Sequence, residues 1–268
     1  MKDRLLAAAR PVCQRYGLAL VGGHALLAHG LTEQSVEDLR LATAADVPLY
    51  DVTDAVARAF EEAGLEVRVT EAGLRVGRLL VTEEINHLPE PSAGHVTEAG
   101  PELGGLGDLQ ARPEVGEAQA GLGVGGVPES QPLVGVVVEV FKEALQEAPV
   151  DRDGVLVAAL ADAVGLRMRD LHERGLAEDV VDVAAVSHLY GLRELEGLGR
   201  VHDDEFATGE LLMRLEYVDA MDFFGCGVSE ERAGEIRRFA DAWVEDIKLR
   251  RAVEGDIDVD VPDVPEVD

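Results

Sequence analysis

Four apolar residues, Leu-Ala-Leu-Val at 18–21, stand between Gly17 and the pair Gly22-Gly23. So short an apolar run between glycines suits a buried strand. The residues that follow, HALLAHG at 24–30, end at a glycine suited to a helix C-cap. The chain therefore opens with a strand, a glycine turn and a helix. Ahead of this unit, helical spacing over 3–16 puts Leu5, Leu6, Ala9 and Val12 on one side; Pro11 is predicted to bend or interrupt the helix and Gly17 to stop it. In DLRLAT (38–43), Leu39 and Leu41 alternate with Asp38 and Arg40, so a strand sends the leucines to one face and the two charges to the other. A helix over 53–64 (Val56, Ala57, Phe60, Ala63) then crosses back. Strands at 65–69 and 74–81 flank a turn at 71–73, which makes the opening domain α+β with a mixed sheet.

Between 85 and 132 the character changes to Gly, Pro and Glu without a sustained period. Such a composition buries too little apolar area to offset its ordering entropy, so a flexible insertion is expected. The strand signal resumes in VGVVVEVF (134–141), and because that strand must pair with the earlier sheet, the insertion reads as a loop inside the domain. The remainder reads as a helical bundle. In 155–174, Val157, Leu160, Val164, Met168 and Leu171 recur at helical spacing; further helices are predicted over 178–189, 192–200, 205–216 and 228–250. The expected organisation is a domain over 1–150 carrying the insertion, a helical domain over 151–250, and a disordered acidic tail over 251–268.

The 268 residues, 47% of them hydrophobic, suffice for one large or two small domains with a sizeable core. The charge is extreme: 53 Asp+Glu against 24 Lys+Arg give a net charge of -29. Nucleic-acid binding by the bulk surface, DNA included, is excluded on that ground, because it rests on Lys and Arg neutralising phosphates. Two origins fit the acidity. One is a salt-rich cytoplasm, as in a halophile, where the Debye length falls to about 3 Å at molar salt; the other is a GC-rich genome that favours Arg, Ala, Val and Gly. Cys13 and Cys226, far apart and outside any CxxC spacing, indicate neither a zinc site nor a disulfide framework and are expected as buried apolar residues. No apolar run approaches the ~18 residues of a membrane span. The first 17 residues carry Asp, Arg and Pro where a signal peptide needs its apolar stretch, so a cytoplasmic protein with no membrane partner is expected.

A glycine turn between strand and helix leaves backbone N–H groups free at the helix N-terminus, an arrangement suited to a triphosphate. Asp38 and Glu139 lie on strands that follow. Carboxylates on neighbouring strands beside such a turn are the hard oxygen ligands that Mg²⁺-assisted nucleotidyl transfer uses. Other polar residues have plainer expectations. His24 and His29 are capping or core-edge histidines, and Trp243 and Phe239 are core. Asp179 and Asp182, like Arg169 and His172, sit three apart on a helix face and suit ion pairs. His87 and His95 have no third ligand nearby, so no metal is assigned there.

The stretch GLALVGGHALLAHGLTEQSVEDLRLAT resembles the opening of the AbiEii/AbiGii-type nucleotidyltransferases, toxins of abortive-infection and toxin–antitoxin systems. Their pattern is a strand, GG, an Ala-containing helix ending in His-Gly, and an Asp-Leu-Asp strand. VEVFKE (138–143) is similar to the family's Val-Asp, two apolar residues and Lys-Glu; GLRMRDLHERGLAEDVVDV (165–183) is similar to its Lys-containing helix and following acidic motif. The resemblance implies a nucleotidyltransferase-fold mixed sheet with flanking helices, followed by a helical bundle. It further implies Mg²⁺ and NTP as cofactors, an RNA or protein acceptor, and a cognate antitoxin. Carried over residue by residue, Gly22 and Gly23 cradle phosphates, Asp38 and Glu139 hold metal, and Lys142, Arg167, Asp179 and Asp182 complete the catalytic set.

The chain departs from that pattern where the chemistry is most demanding. The second strand carboxylate is Arg40, the third is Glu139 in place of Asp, the helical Lys is Arg167, and Gln34 and Val36 replace the family's Arg and Ser. A guanidinium beside Asp38 competes with Mg²⁺ and repels a second metal, although Arg40 can bind a phosphate directly. Three functions therefore stay open: a nucleotidyltransferase, a pseudoenzyme of the same fold that binds nucleotide or protein, and a structural or interaction protein.

Overall fold

The structure, a computed structural model, describes residues 1–32, 38–83 and 135–255. The predicted insertion at 85–132 lies outside these residues, as do Gln34, Val36 and the chain after 255.

Helix α1 (Lys2–Tyr16) runs through Pro11 without interruption and stops where Gly17 turns left-handed, at φ 59°. Burial of Leu5, Ala9 and Cys13 on its inner side outweighs the one backbone hydrogen bond that a proline removes. Strand β1 (Ala19–Val21) and the six-residue α2 (Gly23–Ala28) follow. Next come β2 (Leu39–Thr43), α3 (Leu49–Glu62), β3 (Glu66–Ala72), β4 (Val76–Thr82) and β5 (Gly135–Lys142).

Two short strands, β6 (Val150–Arg152) and β7 (Val155–Val157), were not legible from periodicity, which carried 155–157 into the next helix. Between them Asp153 and Gly154 both take positive φ, 54° and 80°, and the Gly154 N–H donates to the Asp151 carboxylate. An Asp-Gly pair of this kind marks a tight hairpin whose twist suits its flanking strands. The helices that follow are α4 (Leu160–Glu173), α5 (Ala177–Ala185), α6 (Leu192–His202), α7 (Thr208–Glu216) and α8 (Glu230–Gly255). Helix α5 ends four residues short of the predicted boundary, and α8 continues into the segment expected as tail.

The seven strands form one mixed sheet in the order β3-β4-β5-β2-β1-β7-β6. Strand β1 runs antiparallel to β2 and parallel to β7, and β2 runs parallel to β5. Helices α1 and α3 cover one face. Thr43 donates its hydroxyl to the Tyr16 carbonyl at the end of α1, and a Cβ at Gly77 would collide with Thr53 of α3. Because side chains alternate, Leu39 and Leu41 of β2 and Val138 and Val140 of β5 share that buried face. The alternate positions, Arg40, Arg78 and Glu139, point to the opposite face, where α4 packs. The helical part is closed around Trp243, fully buried, whose indole N–H donates to Glu196. This is the α+β architecture with flanking helices that the pattern predicts.

Candidate functional site

Register alone places four charges of alternating sign in one row. Glu71 on β3 opposes Arg78 on β4, Arg78 opposes Glu139 on β5, and Glu139 opposes Arg40 on β2. Arg78 donates from Nε to Glu139 Oε1 at 2.7 Å and from Nη1 to Glu71. Arg40 Nε lies 3.1 Å from Glu139 Oε2, its Nη1 donates to Asp170 of α4, and its guanidinium sits 5.2 Å above the Phe141 ring. Side-chain exposure falls along the row, from 47% at Arg78 to 19% at Glu139, 15% at Arg40 and 3% at Asp170. The outer pairs are therefore screened by water and contribute little, whereas breaking the inner ones leaves a charge stranded.

Behind Asp170 lies a buried cluster from α4 and α5. Arg167 reaches Asp179 at 3.0 Å, Asp170 at 3.3 Å and Asp182 at 2.6 Å, and Arg174 donates to Asp179. Asp179 also caps α5, its Oδ2 accepting the Leu176 N–H at 3.1 Å. Burial pushes Asp179 and Asp182 above the ordinary aspartate range, and the neighbouring guanidinium offsets this only in part. Asp170 goes the other way. Burial again opposes its charge, but Arg40, Arg167 and Arg174 together outweigh it and hold the carboxyl low.

The glycine turn touches this cluster. Gly22, with φ 67° and ψ -152°, adopts a conformation open mainly to glycine. A Cβ there would lie 3.5 Å from Arg40 Cδ and 3.8 Å from Arg167 Cζ, so both arginines rest against the turn. Gly22 and Gly23 are buried.

Six sequence-predicted residues thus come together: Gly22, Arg40, Glu139, Arg167, Asp179 and Asp182. Two stand apart. Asp38 is exposed and directly precedes the first strand residue, Leu39. Lys142 sits at the end of β5 with its ammonium on the Ala45 carbonyl. Asp170, Arg174 and Arg78 were missed; the spacing Arg167, Asp170, Arg174 on one helix side was the available signal. His24 is buried, and His29 Nε2 lies 2.9 Å from the Ala158 carbonyl oxygen, as expected of core-edge histidines. Cys13 is buried, which pushes its thiol up to about 11. Cys226 is only half-buried, against expectation, because it lies in a short 3-10 turn rather than on a packed face.

The residues at hand do not fit a divalent cation. Both Glu139 carboxylate oxygens face guanidinia, and no group of three or more His, Cys, Asp and Glu among the described residues has the geometry to hold a metal ion.

Beside the row opens a cleft of about 380 Å³, lined by six basic residues and four acidic ones. Overall, acids outnumber bases two to one, so the cleft reverses the sign of its surroundings. Arg75, Arg78, Lys142, Arg169 and Arg174 lie on its walls with Arg40. Arg169 is held by Glu143, whose carboxyl is kept low by hydrogen bonds from His202 and Arg169 despite burial.

No protein-family model and no curated protein matches the chain. Solved structures do. The chain is similar to JHP933 from Helicobacter pylori, with TM-score 0.50, 14% identity and coverage of 95% of each chain. It is also similar to an H. pylori protein described as a candidate nucleotidyltransferase, with TM-score 0.50, 15% identity and coverage of 92% of this chain and 95% of that one. MenT4, a nucleotidyltransferase toxin from Mycobacterium tuberculosis H37Rv, gives TM-score 0.48 at 13% identity, over 94% of this chain and 90% of that one. At such identities the likeness is one of fold, shared over nearly the whole chain with a protein described as a candidate nucleotidyltransferase.

Proposed function

We propose that this chain is a nucleotide-binding protein of nucleotidyltransferase fold in which metal-dependent transfer is not supported: a pseudoenzyme built on the architecture of AbiEii-type toxins. One observation carries the reading. The Arg40 guanidinium lies between Glu139 and Asp170 and against the Gly22 turn, where a transferase needs Mg²⁺ between carboxylates and phosphates. A fixed monovalent cation at that point neutralises the carboxylates that a metal would use, and it repels a divalent ion by several kcal/mol at ~4 Å in a medium of effective dielectric about 20. What it supplies instead is a planar fork of donors suited to phosphate oxygens.

The transferase reading keeps its support in the GG turn, Asp38, Lys142 and the resemblance of the motifs. Under it, NTP is the donor, an RNA or protein hydroxyl the acceptor, and an antitoxin a natural partner. A cytoplasmic site of action is proposed under both readings; no helix among the described residues is long and apolar enough to cross a membrane.

The test is transfer of label from α-³²P-NTPs to total RNA and protein in Mg²⁺. No labelling by the wild type is expected. Arg40→Asp places a third carboxylate beside Glu139 and Asp170, so Mg²⁺ should raise the Tm of that variant and not of the wild type. Mg²⁺-dependent labelling by the unmodified protein, abolished in Asp38→Ala, overturns the proposal in favour of a toxin-like transferase.

A further inference from the structure

We infer that the basic cleft beside the Arg40 row binds a metal-free triphosphate chain, the shared chemistry of free NTP and inorganic tripolyphosphate, in preference to its Mg²⁺ complex. The inference rests on the reading above, that this face binds nucleotide without a metal, and it names the ionic species bound.

Arg75 and Lys142 occupy facing backbone positions where β5 meets the chain entering β4. Lys142 donates its backbone N–H to the Arg75 carbonyl at 3.0 Å, across the β4–β5 edge. Neither side chain has a carboxylate partner among the described residues: the Lys142 ammonium meets a neutral carbonyl, and Arg75 is exposed. An anion can therefore pair with either charge without displacing an existing carboxylate, in a chain with more than twice as many acids as bases.

Further into the cleft, Arg78, Arg169 and Arg174 are each held by a carboxylate and keep donors to spare. Arg78 uses Nε and Nη1 in its pairs, Arg174 uses Nη2 for all of its pairs, and the buried Nε of Arg169 has no hydrogen-bond partner. Their guanidinia are thus positioned before a ligand arrives, which lowers the ordering cost of binding. The chemistry offered is N–H donors in number; of the four carboxylates on the walls, Glu139, Glu143 and Asp170 are spent on guanidinia, which leaves Glu173 alone, short of the several oxygen ligands that a divalent ion needs. A triphosphate carrying about four negative charges satisfies those donors with its non-bridging oxygens. Its Mg²⁺ complex carries two charges fewer, with some of the same oxygens already bound to the ion. A volume of about 380 Å³ lies at the small end of ligand pockets and suits such a chain better than a duplex.

Titration calorimetry on the full-length protein tests this with ATP, AMP and inorganic tripolyphosphate, each in EDTA and in excess Mg²⁺. ATP and tripolyphosphate should bind in EDTA with similar affinity and AMP at least about tenfold more weakly, a charge-assisted hydrogen bond or two being lost. Excess Mg²⁺ should weaken ATP binding by about tenfold. Arg75→Ser and Lys142→Met, at the open rim, should each weaken tripolyphosphate binding about five- to tenfold while Tm stays within a few degrees. Tighter binding of Mg²⁺-ATP than of free ATP overturns the inference; if label transfer accompanies it, the pseudoenzyme reading falls too. ATP binding equalled by AMP, or unmatched by tripolyphosphate, overturns the inference alone. So does equal competition by RNA lacking a 5′-triphosphate, which would make the cleft a backbone site.

Discussion

Arg40 and Glu139 are direct partners on the parallel β2–β5 pair, and the guanidinium of one lies 3.1 Å from the carboxylate of the other on the face that meets α4. The pair closes the sheet-borne row of charges, and the bond from Arg40 to Asp170 ties that row to the helices. What resembles a metal-binding motif in sequence is an internal ion-pair network in space.

The centre of that network is Arg167, 4% exposed and in contact with three aspartates. Arg167→Met removes the charge while keeping much of the volume, leaving Asp170, Asp179 and Asp182 with only Arg40 and Arg174 nearby. A loss of about 3–5 kcal/mol is expected, the usual cost of breaking a buried pair from one side. Urea unfolding monitored by Trp243 fluorescence measures it, and a loss below about 1 kcal/mol would show the cluster to be hydrated rather than buried.

The pH dependence follows from the opposite shifts inside the cluster. Asp170 has a lowered carboxyl, so the unfolded chain binds its proton more tightly; its stabilisation is complete above the unfolded value of about 3.9 and is lost as pH falls through the lowered folded one. Asp179 and Asp182, with raised carboxyls, oppose this: their contribution is complete below about 3.9 and is lost as pH rises through their folded values. Asp170→Asn isolates the first effect. The stability difference between wild type and this variant should be largest above about pH 5 and shrink on acidification. A difference that is flat or growing towards pH 3 contradicts the assignment.

Thr82 and Gly135 are opposite one another on the antiparallel β4–β5 pair, although the segment between them is long. Replacing 83–134 by Asn-Gly closes the two strands with a tight hairpin. We propose that the segment is an insertion within the domain rather than a linker between two. The shortened protein should therefore fold cooperatively, with a Tm within a few degrees of the full chain, by calorimetry. Aggregation or non-cooperative melting would show the segment to be part of the core.

Net charge sets a fourth expectation. With -29 distributed over the chain, self-repulsion opposes the compact state. Stability should therefore rise with KCl from about 0.2 M to molar concentrations, as the Debye length contracts from roughly 7 Å towards 3 Å. Thermal melts in KCl, with sucrose as an uncharged control, check it. A flat response beyond 0.2 M points to genome composition as the source of the acidity.

The local periods in the sequence determined the elements and the faces they bury. Leu39 and Leu41 alternate with Arg40, the apolar run at 18–21 ends in Gly22-Gly23, and Val56, Ala57 and Phe60 recur at helical spacing; each is a fact about neighbours in the chain, and each is buried as its pattern requires. Strands β6 and β7 were legible only through Asp153-Gly154, because three residues are too few to show a period. Tertiary structure alone decided which charges meet across elements. With 53 acids for 24 bases, every arginine has many candidate partners in sequence, and local spacing distinguishes only those within one helix, such as Asp170 for Arg167 and Arg174. Register across β2, β5 and β4 selected Glu139 for both Arg40 and Arg78, and the packing of α4 onto that face brought Asp170 to Arg40. Coulomb attraction acts through space and grows as water is excluded, so the pairs that matter are those that folding buries together, however far apart the chain holds them.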